Sequence, residues 1–402
     1  MVQFRYNLSR KMTIVAVIFL VLLVFQGVST LILLARLFRG ARRFAPLKPE
    51  WADAAMLSKV SVIVPTLNEV NRIDGMLAGI TRQTYEVREI LVVDSNSEDG
   101  TREKVKDMAE NDPRISLLTD PPLPDGWVGR PWALHNGFLA SSPDSDWILG
   151  IDADTQPQWG LIPSLLKFAD NNNYDVLSLS PQFILKSAGE WWLQPALLMT
   201  LLYRFESSGV NAITPETVMA NGQCFLIKRQ VLEDLEGYAI ASSSFCDDVT
   251  LARRAAQKGY KVGFADGAKV IKVRMYEGFG ETWREWGRSL DLKDASSQVQ
   301  LWSECVFLAL VQGLPLPITI FGAFSFNCYD FLTFKLLFAL NLFLVLIRFA
   351  LLSAIAPSYE SNKSVGKWLF WLSPTADILA VARIFISALN KPTKWRGRLY
   401  LN

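Results

Sequence analysis

The chain has 402 residues, half of them apolar, with a mean hydropathy of +0.19 and a formal net charge of only +2. This leaves room for one catalytic domain plus membrane elements, places part of the chain in lipid, and gives no reason to expect a nucleic-acid partner. Cys224, Cys246, Cys305 and Cys328 form no CxxC pair and read as reduced thiols, while the single histidine, His135, excludes a His-based metal cluster and turns acid–base chemistry over to carboxylates.

Residues 12–35 carry no charge. At about 1.5 Å of rise per residue, that run crosses a hydrocarbon core of about 30 Å. Arg5, Arg10 and Lys11 precede it, and Arg36, Arg39, Arg42, Arg43 and Lys48 follow it. The heavier basic flank predicts that the next domain faces the cytoplasm.

From residue 59 to 291 short apolar runs alternate with helical periodicity. Strands are expected at 60–64, 90–93, 115–118, 147–151 and 176–179, with helices after Asn68, Asp99, Trp132 and Trp159. That alternation predicts an α/β domain on a mostly parallel sheet, with ligands beyond the carboxyl ends of the strands. Polar residues collect at those ends. The first strand runs into Pro65, Thr66, Asn68 and Glu69, the second into Asp94, and the fourth into Asp152 and Asp154. Asp152 and Asp154 are two apart on an extended segment and point the same way. Such a pair suits a hard divalent cation that keeps positions open for phosphate oxygens, although a solvated turn carries the same residues. Mg²⁺ or Mn²⁺ is the expected ion. Asp247 and Asp248 precede VTLARRAAQ and also read as helix capping residues.

Residues 188–205 are strongly apolar with Pro195 near the middle, and read as a core helix or as an interfacial helix dipping into lipid. Trp191, Trp192, Trp283, Arg284 and Trp286 supply the aromatic–basic mixture of a headgroup boundary. A second apolar zone opens near Cys305. Spans are expected at 306–326, around Pro315 and Pro317, and at 331–356, interrupted by Lys335 and Arg348. Segment 368–389 carries Pro374, Asp377 and Arg383, and is expected to lie in the interface or re-enter. The basic tail, with Lys391, Lys394, Arg396 and Arg398, would then be inside after three crossings; a fourth crossing would put it outside.

Five motifs in order resemble the family 2 glycosyltransferases: VSVIVPTLNE, LVVDSNSEDGT, GWVGRPWALHNG, IDADT and FCDDVTLARRAAQKGYKV. The resemblance covers about residues 60–272. It implies a nucleotide-sugar-binding, GT-A-like domain over 59–291, between an N-terminal anchor and linker (1–58) and a C-terminal membrane region (292–402). It implies that Pro65, Thr66, Asn68, Glu69, Asp94, Arg130 and Asp152 contact the donor, expected to be a UDP-sugar. Asp154, with Asp152, would hold the metal, and Asp248, beside Asp247, would be the base of an inverting transfer. Two positions depart from the family pattern: Ser95 stands where a second aspartate is common, and Asp247 where glutamate is usual. The layout resembles ceramide-, hopanoid- and carotenoid-glycosylating members. It implies transfer of one sugar to a membrane lipid, a carotenoid or other terpenoid ahead of a sphingolipid. A processive polysaccharide synthase is the alternative, although its Gln-x-x-Arg-Trp motif is absent and TWREW and KWRGRLY are the nearest substitutes. A membrane-bound nucleotide-binding scaffold without activity is the other.

Overall fold

The structure is a computed structural model that describes residues 2–205, 207–289, 296–360 and 364–390, together with the backbone of 394–395 and 398–399. The basic tail expected inside the cell therefore lies outside the residues whose side chains are described.

Helix α1 (Val2–Gly40) opens the chain. Its middle is apolar all round, and Ile14, Phe25 and Leu31 are exposed, as suits a helix whose solvent is lipid. Strand β1 (Val60–Thr66) leads to α2 (Ile73–Ile80), β2 (Val87–Asp94) to α3 (Thr101–Ala109), and β3 (Ile115–Thr119) to α4 (Gly129–Ala140). Then come β4 (Trp147–Ile151), the short β5 (Thr155–Pro157), α5 (Leu161–Asn172), β6 (Val176–Ser180), β7 (Gln182–Phe183) and α6 (Ala188–Phe205). The α/β part ends with β8 (Cys224–Lys228), α7 (Arg229–Asp234), α8 (Asp247–Gln257), β9 (Val262–Asp266), β10 (Ile271–Val273) and α9 (Gly278–Ser289).

The main sheet has the order β3-β2-β1-β4-β8-β6-β9. All neighbours are parallel except β8, which runs antiparallel to both β4 and β6. Alternation along the strands splits the core between the two faces. Val60, Val62 and Val64 pack with α2 and α5 residues on one side, and Ile63 with Leu134 and Phe138 of α4 on the other. A small second sheet, β5-β10-β7, extends the domain toward the membrane helices.

A third core belongs to those helices. Helix α10 (Gln298–Leu308) continues through a π-helical turn, Ala309–Gly313, into α11 (Pro315–Ser325), with a 41° bend. Pro315 and Pro317 lack the N–H groups that a continuous helix needs. Helix α12 (Leu332–Ile355) follows, then a 3-10 segment, Lys367–Ala376, and α13 (Asp377–Leu389). By length and composition, three helical stretches can cross a membrane among the described residues, Ile14–Gly40, Leu332–Ser358 and Lys367–Leu389, or four if the bent pair counts as one span. Lys367–Leu389 thus passes as a span, where the sequence favoured an interfacial segment. Its polar residues are absorbed by neighbours. Asp377 accepts from Arg348 Nε and Nη2 at 2.9 and 3.1 Å and from Gln312 at 3.0 Å. Gln26 of α1 and Asn341 of α12 likewise exchange two hydrogen bonds, the kind of polar contact that joins helices where lipid offers no partner.

Candidate active site

Beyond the carboxyl ends of β1, β2 and β4 lies a cavity of about 1190 Å³. Pro65, Thr66 and Glu69 reach it from the β1–α2 turn, Ser95 from the end of β2, and Asp152 and Asp154 from the end of β4. Strand β8 is antiparallel, so it begins at this same edge, with Cys224 paired to Ile151. The Asn221–Gln223 segment before it therefore also lines the cavity. Asp247 and Asp248, in the first turn of α8, close one side. They do not take the N-cap position, which is Cys246.

Arg130, in the first turn of α4, ties these parts together. Its Nε donates to Asp152 Oδ1 at 2.9 Å, Nη1 to Asp247 Oδ2, and Nη2 to the Gly222 carbonyl at 2.7 Å. Gly222 is needed for this approach, because a Cβ there would lie 2.6 Å from Nη2. Burial opposes the charge on Arg130, but Asp152, Asp247 and Asp248 outweigh it and hold the guanidinium protonated.

The two aspartates of α8 differ. Asp247 is 4% exposed and spent on Arg130. Asp248 is half-buried, opens on the cavity, and accepts from the Gly222 N–H at 2.5 Å and the Val249 N–H at 2.9 Å. Burial raises the pKa of both, against the lowering effect of Arg130. A carboxylate poised above its ordinary range while facing a cleft is suited to taking up a proton.

Asp152 uses Oδ1 on Arg130 and leaves Oδ2 without a hydrogen bond among the described residues. Among the described residues no group of three or more His, Cys, Asp or Glu side chains could hold a metal ion. Asp152 and Asp154 nevertheless fit a hard cation whose remaining ligands are phosphate and water oxygens, an arrangement usual for Mg²⁺ at phosphate sites.

Other expected donor contacts sit deeper. Asp94 is fully buried and does not line the cavity. It accepts from Thr66 Oγ1, from the Ser97 N–H and Oγ, and from Arg102 Nη1, so it fixes the β2–α3 turn from beneath. Asn68, at a φ of +55°, bridges the two turns: its N–H donates to Ser97 Oγ and its Oδ1 accepts from Glu98. Asp99 accepts from the Thr101 and Val70 N–H groups, so it braces the start of α3.

The tryptophans expected at a headgroup layer divide in two. Trp191 and Trp286 are 2% and 3% exposed and belong to the membrane-side core, so packing inside the protein has replaced the interfacial role expected of them. Trp192 and Trp283 are half-buried and flank Phe279 in a three-ring stack, and Arg284 is exposed at the cavity.

Several site residues escaped the sequence reading. Ser95 donates to Asp120 at 2.7 Å, and Asp120 directly follows β3, where the strand-end rule could have found it. Arg72 pairs with Glu281 of α9 at 3.0 Å across the cavity wall. Arg383 of α13 also lines the cavity. Neither had a sequence signal as a site residue, because Arg72 and Glu281 lie 209 residues apart and Arg383 lies on α13, far along the chain from the strand ends.

The mixed sheet, the carboxylates at its edge and the cavity above them put the domain in the GT-A class of glycosyltransferase folds. More particularly, residues 61–236 match the family described as Glycosyl transferase family 2, which supports a glycosyltransferase domain there. It is 26% identical over 254 residues to the probable glycosyltransferase YdaM of Bacillus subtilis, covering 62% of this chain and 58% of that one. It is 24% identical over 242 residues to the 4,4'-diaponeurosporenoate glycosyltransferase of Staphylococcus haemolyticus, covering 60% and 63%. The matches thus span about three fifths of either relative. A mannosyltransferase from Pyrobaculum calidifontis, solved with GDP-Man and Mn²⁺, shares the fold at a TM-score of 0.52 and 20% identity, over 93% of this chain and 98% of that one.

Proposed function

We propose that this protein transfers one sugar from a nucleotide-sugar donor, taken to be a UDP-sugar, to the hydroxyl of a membrane lipid, with inversion at the anomeric carbon. The observation that carries the reading is the continuity of the cavity. It begins at the carboxylates of the sheet edge and ends on apolar walls from Leu198, Leu201 and Leu202 of α6 and from Ile355 of α12 and Ile386 of α13, the last two in stretches long and apolar enough to cross a membrane. A donor can enter at one end while an acceptor's hydrocarbon body stays in lipid at the other. Keeping it there avoids about 0.8 kcal/mol per CH₂ of transfer to water. The basic flank after α1 supports a catalytic domain on the cytoplasmic side.

In this reading Asp248 accepts the proton of the acceptor hydroxyl as that oxygen attacks the anomeric carbon. Arg130 holds Asp247 and the strand-end Asp152 in place around it. Mg²⁺ or Mn²⁺ bound by Asp154 and Asp152 would supply charge neutralisation for the departing diphosphate. The name of the Staphylococcus relative supports a terpenoid acceptor ahead of a sphingolipid.

The test is to incubate membranes containing the protein with radiolabelled UDP-sugars. Label in one discrete, solvent-extractable lipid is expected. Label in a long water-soluble polymer would replace the reading with processive synthesis, and label in neither, across UDP- and GDP-sugars, would leave a nucleotide-binding scaffold.

A further inference from the structure

A short strap, residues 218–223, carries a backbone group that holds the base. The Gly222 N–H donates to Asp248 Oδ2 at 2.5 Å, and the Gly222 carbonyl accepts from Arg130 Nη2 at 2.7 Å. Residues 218–221 precede β8 and have no ladder partner among the described residues, so side chains must position them. Ser178 does so for Asn221, whose N–H donates to Ser178 Oγ at 3.2 Å.

Arg253 holds the other end of the strap. It lies further along α8 than Asp248 and is 3% exposed. Its Nε donates to the Val218 carbonyl at 3.1 Å. Its Nη1 donates to the Oγ of Ser296 at 2.9 Å, directly before Ser297, the N-cap of α10. Burial works against the charge on Arg253, and Glu304 of α10, itself paired with Arg204 of α6, favours it. Helix α8 therefore grips the strap at both ends, through Asp248 at Gly222 and through Arg253 at Val218. Between the two grips Met219 packs, with Phe205, against Cys246 and Val249 at the start of α8.

We propose that Arg253 is a positioning residue for the transfer: by holding Val218 against α8 it keeps the Gly222 N–H on Asp248, and so sets where the base carboxylate sits in the cavity. This role rests on reading Asp248 as the base. The contact with Ser296 also ties the base helix to stretch 298–325, which can enter the bilayer as a bent span.

The test uses the full-length protein in phosphatidylcholine nanodiscs, as wild type, Arg253→Gln and Arg253→Lys. Hydrogen–deuterium exchange, read by mass spectrometry on peptides covering 218–223, reports the strap directly and needs no acceptor. Exchange there should quicken about tenfold in Arg253→Gln, the scale of one hydrogen bond from a charged group. It should quicken less in Arg253→Lys, whose ammonium still reaches a carbonyl but lacks the rigid fork that spans two acceptors. The lysine variant also keeps the test open where the glutamine variant does not fold. Affinity for UDP should stay within about threefold in both, because Arg130 keeps Asp152 and Asp247, and it reports that the variants are folded. In the labelled-membrane assay kcat should fall on the order of 10–10²-fold in Arg253→Gln with donor KM nearly unchanged, and Arg253→Lys should recover part of it. The acid limb should move too. The Gly222 N–H favours the charged form of Asp248, so loosening it, with Arg130, Asp247 and Asp152 still around the carboxylate, should raise the limb by about one pH unit. A variant that is merely less folded would keep the wild-type limb. Unchanged exchange in Arg253→Gln would overturn the proposal, as would faster exchange with kcat and acid limb at their wild-type values. So would a loss of UDP affinity in step with activity, which would make Arg253 a folding residue. A wild type that labels no lipid would sink the lipid-acceptor reading instead, and the exchange result would then uphold or overturn the hold on Gly222 by itself.

Discussion

Substituting Asp248→Asn removes the base while keeping the shape of the side chain. In the native site both carboxylate oxygens accept from backbone N–H groups, Gly222 on one and Val249 on the other. Asparagine has one acceptor oxygen, so its amide NH₂ must face one of those two donors. That mismatch costs about 1–3 kcal/mol of stability and should lower the melting temperature. The chemical loss is separate. Removing a general base costs on the order of 10²–10⁴ in kcat, or roughly 3–5 kcal/mol of transition-state stabilisation. Donor affinity should change by less than about threefold, under ~0.7 kcal/mol, because the strand-end residues are untouched. The assay is initial-rate transfer from labelled donor in reconstituted membranes, with UDP binding measured by calorimetry on the same preparation. The pH profile adds a second readout. The base works ionised, so activity falls as pH drops through its pKa. Burial raises that pKa, so the acid limb of the wild type should lie above the ordinary aspartate value of about 3.9, and the residual rate of the variant should lack it. A variant within threefold of the wild-type kcat, or one with an unchanged acid limb, would refute the assignment of Asp248.

Two further perturbations follow from the same geometry. Excess EDTA should abolish transfer and added Mn²⁺ or Mg²⁺ should restore it, with Asp154→Ala demanding much higher metal; full activity in EDTA would remove the metal from the account. Within the membrane helices, Arg348→Leu alone should destabilise the protein by about 3–5 kcal/mol by stranding Asp377, while Arg348→Leu with Asp377→Leu should recover most of that loss; unfolding in detergent measures both, and equal losses would mean the pair is not coupled.

Much of this site was legible from the sequence because of one geometric fact. Parallel strands end on a common edge, so Thr66, Asp94 and Asp152 announced themselves as polar residues terminating apolar runs. The same fact explains the main omission. Strand β8 runs the other way, so Gly222 and Gln223 precede their strand, and no rule about strand ends could point to them. Asp94 shows a second limit. Its position at the edge was readable, but its burial beneath Thr66, Ser97 and Arg102 depends on how the β2–α3 turn folds back. The tryptophans show a third. Amphipathic composition placed Trp191 and Trp286 at a headgroup layer, and packing against Tyr359 and Phe370 in one case and Tyr276 in the other took them inside. Composition records what a residue tolerates, and the neighbours decide which of its options is used. The polarity of Lys367–Leu389 argued against a span for the same reason: Arg348 and Gln312, which satisfy Asp377, lie on other helices.

The central claim is that a sugar is transferred to a lipid drawn from the bilayer, and its most direct test is a comparison of lipid extracts from cells with and without the protein by mass spectrometry. The account predicts the loss of one glycolipid and accumulation of the same lipid lacking one sugar. An unchanged lipid profile alongside a missing soluble glycoside would contradict it.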